Sequence, residues 1–222
     1  MSYVIRKAAS PPSLDAGYDS LDWNIADELE ISSFRPESSD HRPVTRARVL
    51  HDNENIYIIF DVQDKYVRSV QTEFQSPVCT DSCVEFFCQP AGCRDYLNFE
   101  FNCGGTFLIY HIIDPTKTDR GMKAFEKLTS EDAELIQVYH SMPKVVDPEI
   151  TEDTNWTLAA KIPLPLFEKY CKAPADSVSG STWRANFYKC GDKTSHPHWV
   201  SWQPVSAKNF HLPDCFGEIT FE

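Results

Sequence analysis

The sequence predicts an all-β fold, an antiparallel β-sandwich of the jelly-roll type with one or two short helices. Short segments in which apolar and polar residues alternate recur along the chain, and polar, Gly- or Pro-containing turns separate them. Hydrophobic residues make up 41% of the 222 residues, which is enough to fill a core between two sheets. Because sandwiches of this length commonly form one domain, we predict a single domain over 1–222, with an irregular lead-in at 1–20.

The first half of the chain carries the clearest strand signals. Residues 43–52 and 53–64 flank a polar turn and predict a hairpin. Further strands are predicted within 83–90, 95–105 and 106–113, most simply connected as a meander. The polar stretch that follows predicts a long connection with a short helix around GMKAFEKL.

The second half of the chain returns to the same strand pattern. A helix of one or two turns is predicted within 165–171, at PLFEKYC. Strands are predicted within 136–142, 155–164, 183–192, 198–205 and 216–222. The prediction therefore comprises about nine to eleven strands and little helix, with no internal repeat.

Charge and cysteine content narrow the classes of function. The formal net charge of −12 repels phosphate backbones and anionic lipid surfaces, so we expect neither nucleic acid nor membrane as a partner. The chain starts without the apolar core of a signal peptide, which favours a cytoplasmic protein. The eight cysteines include no CxxC pair, which favours free thiols in a reducing compartment.

Common catalytic motifs are absent from the sequence, which has no GxSxG, GxGxxG, P-loop or HExxH. Glu85 and Glu100 each lie in the middle of a predicted strand and would share one sheet face if those strands are neighbours. Such a pair could serve a glycoside hydrolase as acid and nucleophile or base, accept hydrogen bonds from sugar hydroxyls, or simply face solvent. His196 and His198 flank Pro197, which predicts a solvated loop rather than a metal site.

Strand parity places a set of polar side chains on one sheet face. Each alternates with large apolar neighbours, and successive side chains on a strand point to opposite faces. The set comprises Glu85, Asn98, Glu100, Arg184, Asn186 and Tyr188. Carboxylates and planar amides on a rigid sheet suit the hydroxyls of a sugar, and we expect Arg184 to form an ion pair with Glu85 or Glu100.

Several segments, taken in order, resemble family 9 carbohydrate-binding modules, a branch of the DOMON-like sandwiches. They are ARVLHDNENIYIIFDVQD, DSCVEFF, NWTLAAKIPL, and a C-terminal series of WRANFYKC, VSWQPV and NFHLPDCFGEITF. Together they cover roughly residues 20–222. The resemblance implies the sandwich fold and a sugar-binding face on it.

The resemblance also implies roles for particular residues. Glu85 matches a glutamate that contacts sugar hydroxyls in the family. Asn186 and Tyr188 fall on the strand that supplies an amide to the ligand, and Ser201-Trp202 matches the Ser-Trp pair of the next strand.

Three positions depart from the family pattern. The family holds its sugar between two tryptophans, where this chain has Phe210 and Cys79, with Phe74 as a candidate replacement for the second. Glu100 stands where the family has a basic residue. The resemblance therefore implies the fold more firmly than it implies the identity of the ligand.

We therefore expect a carbohydrate-binding protein of carbohydrate catabolism that recognises a mono- or oligosaccharide and does not itself catalyse a reaction. Two alternatives remain open: a glycoside hydrolase that uses Glu85 and Glu100, and a non-sugar sensing or interaction module. The sequence identifies no cofactor with certainty. The acidic turn at 61–64 leaves room for a structural calcium, which accompanies several family members.

Overall fold

Two β-sheets packed face to face dominate the computed structural model, which describes residues 2–119, 121–173 and 177–222. Two short helices are present, α1 (Ser130–Glu134) and α2 (Pro165–Cys171). The strands are, in chain order, β1 (Ser2–Lys7), β2 (Leu29–Ile31), β3 (Ser33–Phe34), β4 (Val44–His51), β5 (Asn55–Asp64), β6 (Val67–Ser69), β7 (Cys83–Gln89), β8 (Tyr96–Asn102), β9 (Phe107–Thr118), β10 (Gly121–Lys127), β11 (Gln137–His140), β12 (Val146–Ile150), β13 (Thr154–Pro163), β14 (Thr182–Cys190), β15 (Trp199–Ser201) and β16 (Gly217–Phe221). The mostly β architecture confirms the predicted fold class.

The front sheet has the strand order β10-β9-β8-β7-β14-β16, and β15 extends it by pairing with the last residues of β14. The back sheet has the order β4-β5-β13-β11, with β2 on the other side of β4. The predicted hairpin β4–β5 and the meander β7–β8–β9 are both present, but they belong to opposite sheets rather than to one continuous meander. The hydrophobic pattern predicted the strands but not their division between two sheets.

Strand β1 joins the two sheets. Its first half pairs in parallel with β16 and its last residues pair in parallel with β4. The expectation of an irregular lead-in at 1–20 is therefore wrong for β1, where Tyr3 and Ile5 are buried; Met1 lies outside the described residues. The short alternating segment of β1 forms a strand because it pairs with the edges of both sheets. Since both pairings are parallel, the sandwich is mixed rather than purely antiparallel.

The core lies between the sheets and follows the period of two that strands impose. Ile58 and Phe60 of β5 and Phe86 of β7 are fully buried in one common cluster. The Phe86 ring stacks on Phe187 of β14, with ring centroids 5.0 Å apart. Full burial of one such side chain contributes about 1.5–3 kcal/mol, so this layer holds the sheets together and fixes which residues face outward.

The outer face of the back sheet is covered by the segment between β1 and β2. Tyr57 and Ile59 point away from the core and pack with the fully buried Trp23. The Trp23 indole N–H donates to the Ser13 carbonyl at 3.1 Å. The segment thus covers this part of the outer face of the back sheet.

Helix α2 coincides with the predicted PLFEKYC helix, whereas the predicted helix around GMKAFEKL is wrong. That segment forms β10, which pairs antiparallel with the long strand β9. Pairing with an available edge outweighs the modest helix propensity of these residues. Within the described ranges, neither helix is long and apolar enough to cross a membrane.

Candidate functional site

A cavity of about 470 Å³ opens on the outer face of the front sheet. Strands β7, β8 and β14 supply its floor, and the segments around β15 supply much of its wall. The volume falls within the range of roughly 300–1,000 Å³ that is typical of small-molecule sites. Its lining residues are Cys79, Glu85, Phe87, Glu100, Lys117, Cys190, Asp192, Pro197, Trp199, Lys208, Asn209, Phe210 and His211.

Two carboxyl groups lie side by side on the cavity floor. Glu85 of β7 and Glu100 of β8 are directly opposite each other in the strand register and are 2% and 7% exposed. The Cys190 thiol donates to Glu85 Oε1 at 3.1 Å, and the Asn98 amide donates to Glu100 Oε1 at 2.8 Å. Parity places the pair on this face because the residues on either side of each glutamate fill the core.

Burial raises the pKa of both carboxyl groups. Loss of solvent raises the Glu100 pKa from its usual 4.5 to about 7, with Asp192 adding to the shift and the Asn98 hydrogen bond opposing it. The Glu85 pKa is raised well above its usual value by burial and then by the charge of Glu100. No positive group contributes to either shift among the residues that the structure describes. At neutral pH the pair therefore holds at least one proton.

Two aromatic rings in the cavity wall are held in place by neighbouring groups. The Phe210 ring stacks on Tyr188, with centroids 4.1 Å apart, and the Tyr188 hydroxyl donates to the Phe210 carbonyl at 3.0 Å. The Trp199 indole N–H donates to Asp192 Oδ1 at 2.7 Å, and the Lys208 ammonium lies 3.4 Å from the Trp199 ring centroid. Both rings are therefore fixed before any ligand enters.

His211 adds a polar group to the aromatic part of the wall. Its ring packs against Phe87, with centroids 4.9 Å apart, and lies 2.9 Å from the Tyr96 hydroxyl through Nδ1. Burial, followed by the charge of Lys117, lowers the His211 pKa to about 4, so the ring is neutral at pH 7. If the Tyr96 hydroxyl donates to Nδ1, the ring proton is on Nε2 and remains available as a donor.

The predicted polar face is present, but its members divide into three groups. Glu85, Glu100 and Phe210 line the cavity. Asn98 and Tyr188 are fully buried behind it, where Asn98 holds Glu100 and Tyr188 holds Phe210. These two side chains position cavity groups rather than reach the cavity themselves.

The third group lies away from the cavity, and here the structure corrects the sequence analysis. The fully buried Asn186 amide donates to the Gln203 carbonyl at 3.0 Å and accepts from the Gln203 N–H at 2.9 Å. Arg184 donates to the carbonyl oxygens of Asp214 and Phe216 rather than to either glutamate, because it sits four residues before Tyr188, towards the other end of β14. The expected ion pair is therefore not formed.

Trp202 also lies away from the ligand-binding position that the sequence predicted for it. It belongs to the core cluster and meets Phe187 edge to face, with centroids 5.6 Å apart. A Cβ at Gly217 would approach Trp202 Cζ3 to 2.7 Å, so the glycine makes room for the indole. The buried ring does not line the cavity.

Phe74 does not supply a wall of this cavity. Its ring packs against Phe107, with centroids 5.3 Å apart, beside a separate depression. Cys79 itself lines the cavity, and Trp199 provides the aromatic ring that sequence reasoning missed. The alternation of Trp199 with the fully buried Val200 was the signal that could have identified it.

The acidic turn at the end of β5 does not fit a calcium ion. Asp61 accepts from Arg46 at 2.7 Å. Asp64 lies 3.1 Å from the Lys189 ammonium and also accepts from the Trp156 indole at 3.1 Å. Calcium binds six to eight oxygen ligands, whereas these carboxylates are already occupied by protein donors.

The His-Pro-His segment also differs from its prediction. His198 is fully buried rather than solvated, with its Nε2 2.6 Å from the Lys189 ammonium. His196 stacks on Tyr66, with centroids 3.6 Å apart. The segment is therefore part of the packed structure beside the cavity rather than a free loop.

The cavity on one sheet face is lined by carboxyl groups and fixed aromatic rings. This arrangement is typical of a small-molecule binding protein. The chain belongs to carbohydrate-binding family 9, whose family model matches residues 17–221. It is a carbohydrate-binding protein, as the sequence analysis predicted.

Solved structures resemble the whole chain. A proposed carbohydrate-binding protein from Bacteroides uniformis ATCC 8492 is 28% identical, with coverage of 100% of this chain and 99% of that chain and a TM-score of 0.83. A family 9 module from Caldicellulosiruptor kristjanssonii in complex with cellotriose is 14% identical, with coverage of 100% and 94% and a TM-score of 0.61. A family 9 module from the same organism in complex with glucose is also 14% identical, with coverage of 99% and 95% and a TM-score of 0.57. Among curated proteins, no sequence matches this chain.

Proposed function

We propose that the cavity above Glu85 and Glu100 is the sugar-binding site and takes a mono- or oligosaccharide. The observation that carries this proposal is the placement of two buried carboxyl groups beside the fixed rings of Trp199 and Phe210. A sugar ring presents apolar C–H faces to aromatic rings and hydroxyls to carboxyl groups. Few polar groups on a rigid sheet give such a site its specificity.

Support also comes from the related modules. The two family 9 structures from Caldicellulosiruptor kristjanssonii hold cellotriose and glucose. We therefore place glucose and its β-linked oligosaccharides first among the ligands to test.

Binding without cleavage fits the arrangement of the carboxyl groups. Glycoside hydrolases place two carboxyl groups so that they flank the scissile bond, commonly about 5–9.5 Å apart. Here Glu85 and Glu100 rise from adjacent strands of one floor, so both meet the same side of a bound ring. We therefore propose recognition rather than hydrolysis, and expect no release of reducing sugar from oligosaccharides.

Calorimetric titration with glucose and cellotriose tests the proposal. We expect Phe210→Ala and Trp199→Ala each to weaken binding about tenfold or more, because removal of an aromatic contact surface costs about 1.5–3 kcal/mol. Phe74→Ala is the matched control, since this phenylalanine lies outside the cavity. Equal weakening by all three substitutions, or no binding of either sugar, would overturn the proposal.

A further inference from the structure

We propose that the sugar bound in this cavity carries a protonated amino group, so that the preferred ligand is an amino sugar. This inference rests on the proposed function and assigns its class of ligand. It follows from the hydrogen bonding and the charge of the groups on the cavity floor.

The carboxyl oxygens on the floor are only partly satisfied. Glu85 receives one hydrogen bond, from the Cys190 thiol, and Glu100 receives one, from Asn98. In the part of the chain that the structure describes, the second oxygen of each group has no protein donor, although both side chains are more than nine-tenths buried. Because both residues line the cavity, these oxygens are open to hydrogen bonds from a ligand with several donors.

In the described part of the chain, neither carboxyl group forms an ion pair with a basic side chain. The groups closest to it are neutral or acidic: the thiols of Cys79, Cys83 and Cys190, the Tyr188 hydroxyl and the Asp192 carboxylate. The two lysines of the lining are exposed, and Lys208 is placed over the Trp199 ring. Neither lysine is paired with the carboxyl groups, so a positive group on the ligand can supply the counter-charge.

An ammonium group fits this floor better than a metal ion does. Glu85 and the thiols of Cys83 and Cys190 lie within 4.8 Å of one another. Burial raises the pKa of the Cys83 thiol, and the hydrogen bond with Cys83, followed by burial, raises the pKa of the Cys190 thiol, which disfavours the thiolates that a soft metal requires. Calcium needs six to eight oxygens, which thiols and aromatic rings do not supply. An ammonium offers three N–H donors, and an attached sugar ring keeps its apolar face for Trp199 and Phe210.

Ammonium binding is coupled to ionisation of the carboxyl pair. The ligand favours the charged carboxylates, so binding displaces protons that the empty cavity holds at neutral pH. With the Glu100 pKa at about 7, affinity should rise as pH increases from 5 to 7, and it should fall again above about pH 8, where a ligand amine with an ordinary pKa of about 8 loses its proton. His211 is already neutral over this range, since its pKa is lowered to about 4.

Calorimetry at pH 7.0, in low salt with EDTA, compares glucosamine, glucose and N-acetylglucosamine on the same protein. We expect glucosamine to bind at least about tenfold more tightly than the other two, with release of protons detected in buffers of different ionisation enthalpy. The double variant Glu85→Gln/Glu100→Gln should lose this preference while its melting temperature shows that it folds. Glu218→Gln removes an exposed charge from the same sheet and should keep the preference.

The outcomes separate this inference from the proposed function. Equal affinity for glucose and glucosamine would overturn the inference and leave the sugar site intact. A preference that survives in the double variant, or binding of glucose that requires calcium, would also overturn the inference. Failure of all three sugars to bind would overturn both.

Discussion

Two clusters of buried ionisable residues lie on opposite faces of the front sheet, and they differ in whether their charges are paired within the protein. On the core side, the fully buried Lys189 ammonium lies 3.1 Å from Asp64 and 2.6 Å from His198. His41 lies 2.8 Å from the other Asp64 oxygen. Burial alone would raise the Asp64 pKa, but the charge of Lys189 and the His41 contact hold it well below its usual value.

On the cavity side, Glu85 and Glu100 have no such partner. Burial raises the pKa of both carboxyl groups, and the charges of Glu100 on Glu85 and of Asp192 on both add to the increase. In the core-side cluster each charge is paired with a neighbouring group of the protein, so the cluster stabilises the fold. The cavity-side pair is left incomplete by the protein, which is the expected state of a site that a ligand completes.

The largest effect should come from breaking the compensated cluster. Lys189→Met leaves the Asp64 carboxylate buried without its main counter-charge, and loss of one partner of a buried pair costs about 3–5 kcal/mol. We expect urea unfolding at pH 7 to show this loss of stability. Lys161→Met, on a partly exposed position of β13, is the control and should change stability little.

A second substitution sharpens this result. Asp64→Asn added to Lys189→Met removes the orphaned charge and should recover part of the lost stability. A single Lys189→Met variant as stable as wild type would mean that the network is not compensated in the way described.

The cavity pair should make stability fall as pH rises. Because the folded-state pKa of Glu100 is raised from 4.5 to about 7, the folded protein binds more protons than the unfolded chain between these values. The stability from this group is full below about pH 4.5 and lost as pH rises through 7, a change of about 3 kcal/mol for the shift. Glu100→Gln should flatten this dependence in denaturation curves from pH 5 to pH 8.

The matched control for this pH dependence is Glu218→Gln, which removes an exposed carboxylate. It should leave the slope between pH 5 and pH 8 as in wild type. An unchanged slope in Glu100→Gln would show that the cavity carboxyl groups are ionised and solvated in the free protein.

A smaller loss of stability is expected at Asn186. Its amide makes two hydrogen bonds to the backbone of Gln203, and truncation of buried partners costs about 1–3 kcal/mol. We expect Asn186→Ala to lower the melting temperature without changing sugar affinity per folded molecule. Loss of affinity with unchanged stability would restore Asn186 to the ligand-binding role that the sequence suggested.

Strand parity predicted much of the site because it depends only on local alternation. Glu85 and Glu100 lie in strands whose apolar neighbours fill the core, so their shared outward face follows from the sequence. The same rule placed Asn186 and Tyr188 on that face correctly, but it could not show that residues 203–216 fold over them. Coverage by a loop is a long-range property that alternation does not encode.

Other features depended on contacts remote in sequence. Strand β1 is defined by partners about 40 and 215 residues away, at β4 and β16. Lys189 looks like an ordinary polar residue of an alternating strand, and only the fold brings Asp64 and His198 to it. The sequence therefore predicted faces and strands better than it predicted partners.

The smallest expected effect concerns Cys79 in the cavity wall. Burial, followed by the charge of Glu100, raises its pKa, so this partly exposed thiol should react slowly with iodoacetamide at pH 8. Bound sugar should slow the reaction further, as followed by peptide mass spectrometry. Labelling of Cys93, which lies outside the cavity, is the control and should not respond to sugar.

The same experiment tests the redox state expected from the sequence. Labelling after unfolding without reductant should modify all eight cysteines. Two or more unlabelled cysteines would indicate a disulfide and an oxidising compartment.

A crystal structure of the protein with bound glucosamine or glucose tests the central claim most directly. We expect the sugar ring to contact Trp199 and Phe210, with its polar groups hydrogen-bonded to Glu85 and Glu100. A sugar bound elsewhere, such as in the depression beside Phe74, with the cavity above the two glutamates unoccupied, would contradict the account.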